Sequence, residues 1–518
     1  MYRWHRITSL IIAIPVLLWA VSGFMHPVMT NFRPKLGTQF ISPQPIASAQ
    51  LQVSLKEALL KNNIDTFSNF RIVQMGGYWF YQVQIPGQRI LRYISAQTGM
   101  PLRNGDELYA RSLARQFLTG RTKAADTLAE ENVHDCCKNA ATAIIKDTAG
   151  AKVSGVELIE HFNSEYKYIN RLLPVYKVSF ERKDGIRIYV ETQQDRFAFA
   201  MNDTRAAFDK FFSLFHTWSW LDFLGKGRLV AEISLALMAL LTTIMGICIF
   251  FSTKTKKPNG NTVVAARRNH RWVSIVISLF TLMFTFSGAF HAFSKFKPDT
   301  RDNYYVKNNF TPAEADLNYT RLQAAIGAEK TITGVSLVRL NGKSYWQVFS
   351  RSNDKARPSA ERGKDLMKNK SVPLPNTIYI DEADYKVLQE GEMQYARFLA
   401  TRFSGNKATD ILSATPVIKF TDEYNFTDKR LPVWKIVYAG SNRRYYIETS
   451  TGKLSKSISN EELVEDYSFA LLHKHEFLGV FGKPVKDFST MFWALSQVVM
   501  ITTGLILYSR SRRRKVRS

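Results

Sequence analysis

Four long apolar stretches divide the chain, and two large segments of mixed character lie between them. Each stretch is hydrophobic all round and long enough to cross a bilayer as a helix. The segments between them combine short alternating patterns with charged turns. The predicted division is span one at residues 1–26, a folded region at 27–228, span two at 229–251, a basic loop at 252–271, span three at 272–292, a second folded region at 293–487, span four at 488–508 and a basic tail at 509–518.

The two folded regions carry the patterns of short helices and half-buried antiparallel strands. Apolar and polar residues alternate over the predicted strands, Gly-Gly and Pro-Gly pairs supply turns, and Asp184-Gly185 is a strong hairpin signal. We therefore expect an α+β membrane protein. The first region is predicted to hold helices at 53–62 and 107–117, strands at 70–73, 78–85 and 90–95, and a hairpin at 175–192, with strands at 345–349 and 377–381 and a hairpin at 433–449 in the second.

The second half of the chain repeats the first. Tyr-Ala-Arg at 109–111 returns at 395–397, and Leu-Pro-Val-aromatic-Lys at 173–177 returns at 431–435. The span at the start of each half repeats as well, with an offset of 265 residues. The order span, folded region, span therefore occurs twice, which predicts two halves related by a pseudo-two-fold axis along the membrane normal. Residues 351–370 have no counterpart in the first half, and their charge predicts a flexible loop.

The net charge is +26, and the distribution of the basic residues predicts how the spans are oriented in the membrane. Residues 252–272 contain six Lys or Arg and no acid, and the tail after Tyr508 contains another six and no acid. Clusters of this kind beside apolar spans indicate the cytoplasmic side. We therefore expect both termini and the 252–271 loop in the cytoplasm, and both large regions on the opposite side, which is the periplasm in a bacterium. No nucleic-acid-binding motif accompanies the charge, so nucleic acid is not an expected partner.

The first apolar run and residues 134–137 are each compatible with more than one structure. The first apolar run is longer than the core of a signal peptide and no small-x-small cleavage site follows it, so we predict a retained anchor. His134, Asp135, Cys136 and Cys137 are adjacent and lack the spacing of a zinc site. We interpret them as part of a surface loop, with a vicinal disulfide or a metal contact as the alternatives.

These motifs together resemble a known family. A span that opens with His5-Arg6, α+β regions with a Leu-Pro hairpin followed by Glu-Thr, and a histidine before the next span are similar to the PepSY-associated transmembrane proteins. The resemblance covers nearly the whole chain. It implies two tandem PepSY-like α+β regions outside the cytoplasm. Members with an assigned role include inner-membrane reductases of ferric siderophores that carry b-type haem, whereas others have only a proposed regulatory role.

Six of the nine histidines lie at membrane boundaries in pairs that the repeat relates. A b-type haem needs two axial imidazoles from opposite sides, and two spans that run in the same direction can each supply one. In spans one and three the two histidines are 21 residues apart, or roughly 31 Å along a helix, so each span carries one imidazole near each membrane face. The candidate haem-iron ligands are His5 with His270, His26 with His291, and His216 with His473.

The pairing is clearest at the cytoplasmic face, where His5 and His270 are the only candidates. At the outer face the choice between His26/His291, His216/His473 and mixed pairs stays open. Six ligands suffice for three haems, and two is the count we predict. A duplication also copies structural histidines, so a purely structural role for each pair is the alternative reading.

The predicted function is electron transfer across a bacterial inner membrane. A cytoplasmic or membrane-bound donor would reduce the inner haem, and the electron would pass through the outer haem to a periplasmic acceptor. An Fe(III) chelate such as a ferric siderophore is the expected acceptor, which makes the protein a haem-dependent transmembrane ferric-chelate reductase. The alternatives are a non-enzymatic PepSY protein that binds or regulates a periplasmic partner, and a transporter. The sequence assigns no catalytic side chain beyond the histidines.

Overall fold

The computed structural model describes residues 1–120, 136–146, 152–296, 305–353, 372 and 376–517. The chain forms two compact units, each assembled from both halves of the sequence. A helical unit contains residues 1–33, 203–299 and 460–518, and a sheet unit contains residues 34–202 and 300–459.

The helical unit is built on four long helices that are apolar enough to cross a membrane, counted over the described residues. They are Tyr2–Asn31, Lys226–Ser252, Thr262–Ser294 and Lys483–Arg517. The four predicted spans are thereby confirmed, and the protein is a multi-pass membrane protein. The first helix packs against the second and fourth, and the third packs against the same two. The first and third helices therefore face each other diagonally across the bundle.

The long helices extend beyond the apolar stretches that predicted them. The third begins at Thr262, because the Asn261 side chain accepts hydrogen bonds from the amides of Val263 and Val264. The connection between the second and third helices is thus shorter than the 252–271 segment. The first helix continues through Pro15 and Pro27.

Short elements precede the second and fourth long helices and belong to the helical unit. Each half supplies a helix, and in the second half this helix runs into a single π-helical turn at Phe469–His473. The two helices are Asp203–Phe215 and Asn460–Ser468, and the short 3₁₀ segments that follow are Ser219–Leu224 and Glu476–Phe481. The sequence pattern had predicted these residues to be part of the two folded regions.

The sheet unit contains four antiparallel sheets and confirms the α+β class. Its helices in the described residues are Leu55–Lys61, Gly105–Thr119, Cys136–Lys146, Tyr319–Ile326 and Gly391–Ser404. The strands of the first half are Asn69–Met75, Tyr78–Gln84 and Arg92–Ser95 in one sheet, and Val153–Ile159, Val175–Phe180, Arg187–Glu191 and Arg196–Met201 in the next. Those of the second half are Lys330–Leu340, Lys343–Ser352, Asn376–Asp381 and Val387–Leu388, and Ile411–Val417, Val433–Tyr438, Arg443–Glu448 and Lys453–Ser459.

The predicted hairpins form in the same register in both halves. Lys177 lies opposite Tyr189 in the first half, and Lys435 lies opposite Tyr446 in the second. The halves also share a hydrophobic core inside the sheet unit, where Phe70 meets Trp346 edge-to-face at 6.1 Å. Neither half therefore buries its first sheet without the other.

A buried group of charges lies within the sheet unit. The Arg430 guanidinium is 2.8 Å from the Glu448 carboxylate, and Arg196 bonds both Glu448 and, at 3.2 Å, Glu191. Glu191 and Glu448 are at most 2 % exposed. Burial alone would raise the pKa of Glu448, but the two arginines lower it to about 2. The ionised carboxylate is thus part of the folded state.

One prediction about the first region is wrong in its secondary structure. Cys136 begins a helix rather than lying in a loop, and the Cys137 thiol donates a weak hydrogen bond to the Met100 carbonyl at 3.5 Å. His134 and Asp135 lie outside the described residues, as do residues 354–370 of the charge-rich segment. Residues 351 and 352 of that segment continue a strand.

Candidate functional site

His5 lies near the start of the first helix and contacts the second helix. Its Nδ1 is 3.1 Å from the Thr242 carbonyl oxygen. Gly246 lies one turn further along that helix, and a Cβ there would be only 3.2 Å from the imidazole Cε1. Glycine therefore provides the space that this imidazole occupies.

His270 repeats this arrangement between the third and fourth helices. Its Nδ1 is 3.2 Å from the Thr503 hydroxyl, which donates its own hydrogen to Met500. A Cβ on Gly504 would again be 3.2 Å from Cε1. In both copies a long helix thus contributes a glycine and an acceptor for Nδ1.

His5 and His270 lie on the two helices that are diagonal to each other in the bundle. They belong to the first and third helices, both are half-buried, and the two rings are close enough to interact electrostatically. With Nδ1 turned toward the neighbouring helix, Nε2 is the ring nitrogen that remains for a ligand. The predicted pair at this end is therefore brought together.

His216 follows the helix Asp203–Phe215 and is held by a serine of the first long helix. The Ser22 hydroxyl, fully buried, donates to the Leu18 carbonyl at 2.6 Å and lies 3.0 Å from Nδ1 of His216. Because the hydroxyl hydrogen is already committed, the serine oxygen accepts and Nδ1 carries the proton. Nε2 of His216 therefore carries a lone pair.

His473 is held in the same way by the third long helix. Ser287 is 1 % exposed, donates to the Met283 carbonyl at 2.6 Å, and lies 3.2 Å from Nδ1 of His473. His473 is the last residue of the π-helical turn, whereas His216 reaches the same position from an α-helical turn, its amide bonding the Phe212 carbonyl at 2.8 Å. The same proton assignment follows for His473.

The His216 and His473 rings lie next to each other. Their centres are 6.2 Å apart and their planes are inclined by 82°. Two imidazoles that bind one iron from opposite sides, with metal–nitrogen distances of about 2.0 Å, have ring centres roughly 6 Å apart. Among the hydrogen bonds within the described ranges, none engages Nε2 of either ring. The separation and the open nitrogens fit a shared iron.

His26 and His291 form a second level, one helical turn beyond the two serines. His26 is exposed and lies 5.2 Å from the ring of Phe212, whereas His291 stacks on Phe469 at 4.1 Å. Nδ1 of His291 is 2.7 Å from the carboxylate of Glu465, which is 8 % exposed. All four outer histidines are within electrostatic range of His473 or His216.

One comparison with known proteins identifies the family. A family model described as PepSY-associated TM region matches residues 2–414. The chain belongs to the PepSY-associated TM family. No curated protein matches the sequence.

The PepSY-associated match includes five of the six predicted histidines and ends before His473. The evidence for His473 is therefore its distance from His216 and its serine partner. In the part of the chain that the structure describes, no group of three or more His, Cys, Asp or Glu side chains is arranged to hold a metal ion. A pair of axial imidazoles contains only two side chains and would not form such a group.

Sequence reasoning about this PepSY-associated protein missed the partners of the histidines. From the sequence, Ser22 and Ser287 are small residues that permit close helix approach or leave room for a macrocycle edge, and Gly246, Gly504 and Glu465 carry no prediction. The interior glycines of two apolar helices were an available signal, because glycine is unfavourable there without a packing reason. Glu465 offered none, since its contact with His291 spans 174 residues.

Among the described histidines of the helical unit, His475 is the one that the site does not use. It is fully buried, with Nδ1 3.0 Å from the Ser489 hydroxyl and its ring stacked on Phe284 at 5.3 Å. The first half has Trp218 stacked on Trp19 at the equivalent position, at 5.0 Å. The shared feature is a ring that packs the segment before a span onto a long helix, which indicates a structural role.

Proposed function

We propose that this protein is a b-type haem protein of a bacterial inner membrane that passes electrons to a periplasmic Fe(III) chelate. The observation that carries the proposal is the His216–His473 pair, with ring centres 6.2 Å apart and both Nδ1 atoms bonded to buried serines. His5 and His270 form the corresponding pair at the other end of the bundle. The haem count is therefore two, one for each pair.

The charge distribution supports an orientation for this transfer. Residues 253–272 and the residues after Tyr508 hold six basic residues each and no acid, and both stretches adjoin the end of the bundle that contains His5 and His270. By the positive-inside rule that end is cytoplasmic. A cytoplasmic or membrane-bound donor would then reach the His5/His270 pair, and the sheet unit would be periplasmic.

The residues of this chain hold and orient the ligands. Haem supplies one-electron chemistry when it is bound, and its potential depends on the axial ligands and their hydrogen bonds. Ser22 and Ser287 fix the tautomer and ring orientation of His216 and His473, and Thr242 and Thr503 do so at the other pair. Each imidazole therefore presents Nε2 without reorganisation.

The depth of the outer pair favours transfer between the two sites. His216 is held at the level of Ser22, which is 17 residues from His5, or about 26 Å along the helix. Ligation at the level of His26 would add about 6 Å. Using His216 and His473 thus shortens the path across the membrane.

An Fe(III) chelate suits the acceptor side for a chemical reason. Fe(II) lies low in the affinity order of divalent metals, so reduction weakens binding by oxygen ligands and allows the iron to leave its chelator. The PepSY-associated proteins that this chain resembles include reductases of ferric siderophores, which carry out that step. The protein's own part is ligation, burial and docking.

A visible spectrum of the purified full-length protein tests the proposal. We expect a Soret band, sharp α and β bands on reduction, and two haems per chain. His473→Ala and His270→Ala should each lower the count to one, whereas His161→Ala, at an exposed site in the sheet unit, should leave it at two. A colourless protein after expression with ample haem would overturn the proposal in favour of a PepSY protein that binds a periplasmic partner.

A further inference from the structure

The outer end of the helical unit has two levels of side chains. Ser22 and Ser287 hold the His216/His473 pair, while His26 lies four residues beyond Ser22 and His291 four residues beyond Ser287. A four-residue step keeps the same helix face and advances about 6 Å. His26 and His291 therefore lie above the His216/His473 pair, toward the end of the bundle.

Phenylalanine rings connect the two levels. Phe469 stacks on His473 at 4.7 Å and on His291 at 4.1 Å. In the first half Phe212 stacks on His216 at 4.4 Å and lies 5.2 Å from His26. The upper histidines are thus held beside the lower pair in both halves.

Cations surround this upper level. Nζ of Lys474 is 5.0 Å from the centre of the Phe469 ring, and Lys295 follows His291 by one helical turn. Lys474 and Arg33 act electrostatically on His26, and Lys295 acts on His216. Several acids lie nearby as well. Asp487 acts on His26, and Glu465 bonds His291. Glu232 acts on Lys295, and Glu476 and Asp466 act on Lys474.

These cations are accessible. Arg33, Lys295 and Lys474 are exposed side chains. Cations close to two imidazoles favour the binding of an anion.

We propose that His26, His291, Lys474 and Lys295 bind the two carboxylates of the haem held by His216 and His473. This inference rests on the proposed function and gives the upper histidines a role other than iron ligation. Haem b is a flat apolar molecule with both carboxylates on one edge. The cations of the upper level, at the end of the bundle, would neutralise the two negative charges on that edge.

A comparison of haem b with its dimethyl ester tests the proposal, because the ester keeps the iron and removes both negative charges. Full-length protein prepared without haem is loaded with each compound, and retention is measured by transfer to apomyoglobin. The wild type should retain haem better than the ester by about tenfold or more for each carboxylate. Lys474→Gln with Lys295→Gln should abolish most of that preference, whereas Lys226→Gln, an exposed lysine at the start of the second long helix, should keep it.

The upper histidines provide a second measurement. His26→Gln with His291→Gln should leave two haems with bis-histidine spectra and reduce the preference for haem over the ester. Loss of one haem in that variant would mean that these histidines bind iron, and would overturn the inference. An unchanged preference in the lysine variant would overturn it as well, while the proposed function would stand. If the wild type binds neither compound, the proposed function itself fails.

Discussion

The two buried serines of the site each use their single hydroxyl hydrogen for a bond to the backbone of their own helix. Ser22 and Ser287 each donate to the carbonyl four residues earlier, so toward His216 and His473 they can only accept. This arrangement decides which imidazole nitrogen of His216 and His473 is protonated through a neutral hydroxyl rather than a carboxylate. The proton assignment at the site is therefore a property of helix geometry, repeated by the duplication.

Removing one serine hydroxyl should weaken ligation without removing the ligand. We expect Ser287→Ala to reduce haem affinity at the outer site about 10- to 100-fold, as is typical for the loss of a partner of a metal-binding histidine. Ser278→Ala is the matched control, because that buried hydroxyl bonds only Ile275 of its own helix. Haem transfer to apomyoglobin measures both variants, and equal losses in the two would contradict the role of Ser287.

Two helix glycines with different surroundings, Gly246 and Gly23, allow a sharper test of the His5/His270 site. Gly246→Ala puts a methyl group 3.2 Å from His5, so the ring must shift, whereas Gly23→Ala meets only Ala494 at 4.0 Å. Alanine is favoured over glycine in helices by about 1 kcal/mol. We expect Gly23→Ala to raise the melting temperature slightly and keep both haems. Gly246→Ala should lower occupancy of the His5/His270 site alone, as read from the reduced spectrum.

Among the elements, those whose pattern is local could be predicted from the sequence. The four apolar helices and the Asp184-Gly185 hairpin depend on neighbouring residues, and both are present. The π-helical turn at Phe469–His473, which ends at a predicted ligand, has no such pattern. The pairing of His216 with His473 joins residues 257 apart in the sequence, so the repeat suggested it but could not select it over His26 with His291.

The buried ion group of the sheet unit predicts a large effect from one neutral substitution. Glu448→Gln leaves Arg196 and Arg430 short of a counter-ion in a site from which water is excluded, which costs about 3–5 kcal/mol of unfolding free energy. Glu181→Gln removes an exposed partner of Lys152 and should cost less than about 1 kcal/mol. Chemical denaturation of the full-length protein, followed by tryptophan fluorescence and compared with the wild type, measures both.

The Glu448 carboxylate also makes the stability of the sheet unit depend on pH at low pH. The folded-state pKa of Glu448, about 2, is below its ordinary value of 4.5, because Arg196 and Arg430 outweigh the effect of burial. Below pH 4.5 the Glu448 carboxylate is protonated in the unfolded chain but remains ionised in the folded chain. We expect the stability contribution of Glu448 to be complete above pH 4.5 and to fall as the pH drops toward 2. A Glu448→Gln variant with the same acid dependence as the wild type would contradict this.

At the scale of the whole molecule, each half supplies one side of every predicted ligand pair. Ser22 and His216 come from the first half, and Ser287 and His473 from the second. A half alone could hold an iron only by pairing with a second copy of itself. The duplication therefore joins in one chain what two copies would otherwise have to assemble, and it permits differences such as Glu465, which bonds His291, while its counterpart in the first half is Phe208.

The orientation of the whole chain decides whether the acceptor can be periplasmic at all. After replacement of the native cysteines, Lys183→Cys in an exposed hairpin of the sheet unit should react with a membrane-impermeant maleimide in sealed spheroplasts. Lys256→Cys, in the basic connection between the second and third long helices, should react only after lysis, since clustered Lys and Arg stay on the cytoplasmic side. The reverse pattern would turn the His216/His473 pair toward the cytoplasm. It would leave the histidine pairs in place but exclude a periplasmic Fe(III) chelate as the acceptor.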